Sequence, residues 1–258
     1  MAMKNTVLHI SIGVILVASM AQAIPTWPVS WTTVTVGGNN YGDRHYDSDP
    51  LDNRNQPPAP EVTDITGNQA NPAAFYAYDS QNVYFRVRID GAPGPSPQYV
   101  WSAVLNTDAD QTADWVIQLD LKTDNQVEMA QATGGSFTDV NPWSGLAYVA
   151  TPHTSPNGGV ATDWYRFVDT TDSTTFPDTP PGTDYYVDFA FDRATLESQV
   201  GTTVDSMQVV FATSTTHINS IQDLPDSDWS DPITVPEPTS MVLFALGITA
   251  VALRRRKM

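Results

Sequence analysis

From Val83 to Ile89 apolar and polar residues alternate without a break. Val83, Phe85, Val87 and Ile89 fall on one side of an extended chain, and Tyr84, Arg86 and Arg88 on the other. A period of two belongs to a β-strand and conflicts with a helix, whose faces repeat every 3.6 residues. Residues 74–78 read the same way, and Asp79-Ser80-Gln81-Asn82 between the two runs is rich in turn formers. Together they predict an antiparallel hairpin with one buried face and one wet face. Residues 30–36, 99–105, 115–121, 127–132, 146–150, 162–168, 185–191 and 207–213 are further strand candidates. One short helix is predicted over 193–199, with Asp192 as its N-cap and Gly201 just past its end. Many strands at turn-punctuated intervals with so little helix predict an all-β fold. The expected architecture is a single antiparallel β-sandwich, jelly-roll-like, over residues 24–234. Its Pro- and Gly-rich stretches at 56–60, 91–97 and 176–182 read as long surface loops.

The charge supports this and narrows the partners. Of 29 acids 25 are Asp, which suits turns and hard-cation loops, and only four are Glu, which suits helices. A net charge of −17 argues against a nucleic-acid partner, because phosphate binding needs clustered Lys and Arg. The absence of Cys removes disulfides, thiolate zinc sites and thiol nucleophiles together.

Both ends differ from the body. Five of the 12 basic residues lie in 1–23 and 241–258, which hold no acid; seven remain against all 29 acids, a balance of −22. Lys4, the apolar run 7–20 and Ala21-Gln22-Ala23 have the order of a secretory signal peptide over 1–23, with a small-x-small cleavage site at Ala21 and Ala23. Residues 235–258 combine Pro236-Glu237-Pro238, an apolar run and Arg254-Arg255-Arg256-Lys257. The stretch 239–253 would span about 22 Å as a helix, a marginal transmembrane segment for a hydrocarbon core of about 30 Å. The basic cluster would stay cytoplasmic and leave the acidic body outside.

This tripartite tail closely resembles the PEP-CTERM sorting signal of Gram-negative bacteria, in Pro236, Glu237, Pro238, the apolar stretch and Arg254, Arg255 and Arg256. The resemblance implies recognition by an exosortase, a membrane-embedded cysteine protease or transpeptidase, followed by removal of the tail. It implies export through the inner membrane, transient anchoring there, and delivery to the cell surface or extracellular matrix. Exopolysaccharide of a biofilm is then the expected surrounding partner. Asp64-Ile65-Thr66-Gly67, residues 74–79 and Asn82-Val83-Tyr84-Phe85-Arg86-Val87-Arg88 also resemble the opening of sugar-binding β-sandwiches akin to DOMON domains and family 9 carbohydrate-binding modules. That likeness bears on fold more than on ligand.

Within the body, the run 106–114 places oxygen donors Asn106, Asp108, Asp110 and Asp114 at relative positions 1, 3, 5 and 9, with the Thr112 carbonyl at position 7. This is the spacing of a calcium-binding loop of the EF-hand type. Gln111 stands where such loops carry Gly, and Ile117 where they carry a bidentate Glu, so Ca²⁺ affinity is expected on the order of 10⁻⁴–10⁻³ M. The same residues fit a solvated hairpin loop, and Asp120 either contributes or faces water. Asp43, Asp47, Asp49 and Asp52 form a second acidic group, as a cation site or a loop, and Asp223, Asp226, Asp228 and Asp231 a third, read as a solvated linker. Of seven Trp, Trp101, Trp115 and Trp164 lie in strands and read as core, whereas Trp143, in a loop after Asn141-Pro142, is the candidate ring for stacking on a glycan.

Catalysis finds little support. His45, His153 and His217 have no ligand spacing, and there is no nucleophile elbow or phosphate-binding Gly loop. A glycoside hydrolase needs only two suitably spaced carboxylates and is the third reading, after a structural or matrix protein and a carbohydrate-binding module.

Overall fold

The computed structural model describes residues 24–40, 61–67, 69–94, 98–110, 112–122, 126–132, 147–148, 153–154, 164–170, 184–214, 221–223 and 230–233. The strands in chain order begin with β1 (Thr32–Thr33), β2 (Thr35–Val36), β3 (Asn39–Asn40), β4 (Ala74–Tyr78) and β5 (Asn82–Ile89). There follow β6 (Val100–Asn106), β7 (Trp115–Asp120), β8 (Gln126–Gln131), β9 (Ala147–Tyr148) and β10 (His153–Thr154). The last are β11 (Tyr165–Asp169), β12 (Tyr185–Asp192), β13 (Gln208–Ser214) and β14 (Ile221–Asp223), with the α-helix α1 (Arg193–Val200) and a single 3-10 turn (Val204–Ser206) between β12 and β13. The strand candidates each acquire a strand within a few residues of the expected bounds. The run 30–36 divides into β1 and β2, which pair with different partners.

Among the described residues two large antiparallel sheets result, with β2 and β3 forming a separate two-stranded ribbon. The first has the order β1-β4-β5-β12-β11, and the second β10-β8-β7-β6-β13-β14, with β9 also on β8. The expected antiparallel sandwich is therefore present. In the second sheet the meander β6-β7-β8 is flanked by β13, which returns from the first sheet to lie beside β6; this is a Greek-key order. Local chemistry sets the joints. Asp79 Oδ1 accepts the Gln81 and Asn82 N–H groups, each at 2.7 Å, and closes the β4–β5 hairpin with Tyr78 opposite Val83. Asp192 caps α1 by accepting Thr195 N–H at 2.7 Å, and Gly201 ends it with φ 74°, a left-handed conformation that costs Gly least.

The core lies between the sheets. Val83, Phe85, Val87 and Ile89 of β5 are buried, with Val187, Phe189 and Phe191 of β12 beside them. Across the gap stand Trp101, Ala103 and Leu105 of β6, Ile117 and Leu119 of β7, and Val209 and Phe211 of β13. Phe85 meets Phe211 at 6.2 Å between ring centroids, and Trp101 meets Phe167 at 5.7 Å, each pair joining one sheet to the other. Trp101, Trp115 and Trp164 are buried, as a core role requires.

One expectation fails. The outer face of β5 is not wet: Tyr84 and Arg88 are each 1% exposed and the Arg86 side chain 13%. The segment 26–31 lies over it. Trp27 and Trp31 approach the Tyr84 ring at 5.8 and 6.5 Å, and Trp31 covers the Arg86 guanidinium at 4.1 Å. Arg86 faces Asp188, its register partner on β12, and Arg88 pairs with Asp184 just before that strand. A buried cation is tolerable when a carboxylate takes its hydrogen bonds, so alternation here separates apolar from polar without separating dry from wet.

Candidate functional site

The turn from β6 to β7 gathers acidic side chains. Asn106, last residue of β6, is buried; its Oδ1 accepts Asp108 N–H at 3.2 Å and Ala109 N–H at 2.9 Å, and its Nδ2 donates to Gln208 Oε1 at 3.1 Å. It therefore closes the turn. Ala109 takes φ 61°, so the left-handed position that calcium loops give to Gly falls here on Ala109, two residues before Gln111. Asp108 Oδ1 accepts Asp110 N–H at 3.1 Å, and Asp110 Oδ1 accepts the Thr112 hydroxyl at 2.6 Å and the Thr112 N–H at 2.8 Å. Asp114 Oδ2 accepts the Thr107 N–H and hydroxyl, each at 2.7 Å.

Carboxylate oxygens of Asp108, Asp110 and Asp114 then lie within 4.8 Å of one another, with Asp108 and Asp110 exposed. Two oxygens bound at about 2.4 Å to one Ca²⁺ can be up to about 4.8 Å apart, so the trio fits around one hard cation. Each carboxylate spends one oxygen on the loop, and its other oxygen takes no hydrogen bond from the described residues. Bonds from the Thr112 hydroxyl and N–H hold Asp110 below the usual Asp range, so it stays ionised and available to a cation. Asp120 is not part of this group. It lies buried at the far end of β7, where its Oδ1 accepts Lys122 N–H at 2.7 Å.

The outer face of the first sheet holds a second polar constellation. Asp188 accepts Arg86 Nε at 2.6 Å and Nη2 at 2.8 Å, and Arg166 Nε at 2.7 Å. Arg88 Nε reaches Asp184 Oδ2 at 2.6 Å. The Arg86 guanidinium also lies over the Tyr186 ring, 4.5 Å from its centroid, and that of Arg166 lies 4.7 Å from the Trp27 ring. The Tyr84 hydroxyl lies 2.8 Å from Asp79 Oδ2 and 2.9 Å from Thr26 O; burial, and then the hydrogen bond to Asp79, push it up to about 12. Pattern reading missed this network, although a signal existed. Arg86 and Arg88 share a strand face, Asp184 and Asp188 are an even number of residues apart, and three of the body's seven bases meet here.

Of the acidic residues read as a C-terminal linker, Asp231 is held by the body. It accepts the Thr35 hydroxyl at 2.7 Å, Gly38 N–H at 2.9 Å and Gly37 N–H at 3.2 Å, which keep it below the usual Asp range. Asp223 belongs to β14. Trp143, Ala21, Ala23, Asp43, Asp47, Asp49, Asp52, Asp226, Asp228, Pro236, Glu237, Pro238, Arg254, Arg255 and Arg256 lie outside the described residues. Among the described residues no helix is long and apolar enough to cross a membrane, and the expected transmembrane stretch 239–253 is not among them.

Residues 234–257 match the family model of the PEP-CTERM protein-sorting motif. The chain is thus a protein bearing a PEP-CTERM sorting signal, the signal for export and for exosortase processing at the membrane. No curated protein and no solved structure matches it. The similarity of residues 64–88 to DOMON domains and family 9 modules rests on those residues alone.

Proposed function

We propose that the acidic sandwich is a non-catalytic body delivered to the cell surface or extracellular matrix, where it associates with exopolysaccharide and is stabilised by Ca²⁺ at the β6–β7 turn. The observation that carries this reading is the sorting motif at 234–257 behind residues 24–233, whose 7 bases against 28 acids give a balance of −21. A polyanionic body attracts divalent cations, and the trio Asp108, Asp110 and Asp114 offers oxygens at a separation that suits one. The buried carboxylates Asp184 and Asp188 are committed to arginines, which favours a structural over an acid–base role for them. The test is fractionation of the parent bacterium with and without its exosortase. The body is expected outside the cell, lacking Arg254 to Lys257, only when the exosortase is present; an intact tail on the surface form in the normal strain would sink the reading.

A carbohydrate-binding module is the second reading, favoured by the similarity at residues 64–88. Retention on immobilised glycans in EDTA separates it from cation-bridged association, and release of reducing sugar would point to a hydrolase instead.

A further inference from the structure

One row of side chains crosses the outer face of the first sheet. Register places Phe75 of β4 opposite Arg86 of β5, Arg86 opposite Asp188 of β12, and Asp188 opposite Arg166 of β11. Two guanidinium groups in this row share one carboxylate, whereas Arg88 with Asp184 and Arg193 with Glu197 pair one to one. The row therefore carries one cation in excess. Asp188 already accepts three hydrogen bonds, and Arg166 contributes only its Nε to them. The two terminal nitrogens of Arg166 donate to nothing among the described residues, and its side chain is 20% exposed. Beside it, the Trp27 ring holds its Nε1 buried with no acceptor among the described residues.

Aromatic rings stand next to these unanswered donors. Tyr186 pairs with Val168, one step along from Asp188 and Arg166 on the same face, so it is a diagonal neighbour of Arg166 at roughly 7–8 Å. Its ring is held by the Arg86 guanidinium and by Phe75, whose ring stands at 90° to it with the centroids 5.7 Å apart. Tyr186 and Phe75 both remain half-buried. A planar fork of terminal N–H groups matches a carboxylate through two parallel hydrogen bonds. Rigid rings beside it offer apolar area to the C–H face of a sugar. The acidity of the rest of the body does not forbid such a ligand. At physiological ionic strength charges are screened over about 8 Å, so the local excess of cation decides the attraction.

We infer that this part of the first sheet is a binding site for a carboxylate-bearing sugar: Arg166 takes the carboxylate, and Tyr186 and Phe75 take the apolar face of the ring that bears it. The inference deepens the reading of the body as a partner of exopolysaccharide and rests on it, but the contact needs no divalent cation. The sugar is held and not altered.

The experiment titrates the full-length protein in EDTA with a tetramer of galacturonate and, separately, with its methyl ester, which keeps the rings and removes the charges. The acid is expected to bind about tenfold more tightly than the ester, as a charge-assisted bidentate pair at a partly exposed site requires. Arg166→Gln should lower affinity for the acid to that for the ester. Phe75→Leu, which leaves the ion pairs intact, should weaken both probes alike and decides the matter even if Arg166→Gln folds poorly. Equal affinity for acid and ester overturns the site, as does binding that neither variant changes. Binding that appears only when Ca²⁺ replaces EDTA assigns the contact to cation bridging and also overturns it. A dimer that Arg166→Gln dissociates would give Arg166 to an acid of a second copy instead. Failure of both probes while the parent's own exopolysaccharide is retained overturns the site alone; failure to retain that polymer, with or without Ca²⁺, overturns the exopolysaccharide reading as well.

Discussion

Arg86 and Asp188 face each other across β5 and β12 as a bidentate pair, Nε to Oδ1 at 2.6 Å and Nη2 to Oδ2 at 2.8 Å, with the Asp188 side chain fully buried. Arg166, on the other neighbour of β12, shares the same carboxylate, so one Asp holds three strands together on their outer face. Asp188→Ala leaves two cations facing a desolvated gap. Removing one partner of a buried pair costs about 3–5 kcal/mol, and the low end applies because Arg86 and Arg166 keep 13% and 20% exposure. The melting temperature should fall by about 6–12 °C. A fall of under about 2 °C would show that the guanidinium groups find water, and that the rings rather than the carboxylate hold this face.

Alkaline pH should attack the same face. Tyr84 ionises near 12 in the fold against 10.0 for the free side chain, because burial and the Asp79 carboxylate disfavour the phenolate. A raised folded value means that this stability is whole below pH 10 and is lost as pH rises towards 12. The two-unit shift corresponds to about 2–3 kcal/mol. Thermal melts from pH 9 to 12 should show the loss, with the Tyr84 share of the tyrosinate absorbance, read as the difference from Tyr84→Phe, rising only as unfolding occurs. In Tyr84→Phe the slope should flatten by about one proton; an unchanged slope would assign the transition to Tyr78, also raised to about 12 by burial.

Calcium should raise the melting temperature through the β6–β7 turn. At a concentration about ten times a millimolar dissociation constant, a shift of about 3 °C is expected. Asp108→Ala with Asp110→Ala should abolish it, while magnesium, which demands tighter octahedral geometry, should give less. The same shift in the double variant would place the ion elsewhere.

Gly67 is a packing constraint inside the segment Asp64-Ile65-Thr66-Gly67. A Cβ built there would stand 2.5 Å from Ala73 N and 2.7 Å from its Cα, both backbone atoms. Gly67→Ala must therefore push apart the entry to β4, at a cost of about 1–3 kcal/mol by denaturant unfolding. Gly94→Ala, with nothing within 4 Å, is the control expected to stay near zero.

The parts of the fold legible in the sequence are those fixed by neighbours in the chain. The alternation of Val83 to Ile89 fixed a strand, Asp79 its hairpin, and Asp192 and Gly201 the ends of α1. The acidic turn was legible as a group, because Asp108, Asp110 and Asp114 lie within seven residues. What stayed hidden depends on partners far along the chain. Arg86 reads as a solvated residue until Asp188, 102 residues away, stands opposite it. Asp231 reads as linker until the hairpin at Gly37 and Gly38, more than 190 residues earlier, presents its N–H groups. Spacing within a segment carries no information about such meetings. Asn106 shows the converse: its place in the pattern is that of a ligand, but the backbone of the turn takes its oxygen.

The lengths of the outermost strands bear on how many copies of this protein can share a surface. Among the described residues the first sheet stops at β1 with two residues, and the second at β9 and β10 with two each on one side and at β14 with three on the other. A growing cross-β stack needs a longer row of open N–H and C=O groups than these provide. Among the described margins of these two sheets, the one formed by β11 is the longest, with five residues, and its Arg166 is committed to Asp188. Such short margins make neighbouring copies poor templates for one another's strands, however closely they are packed.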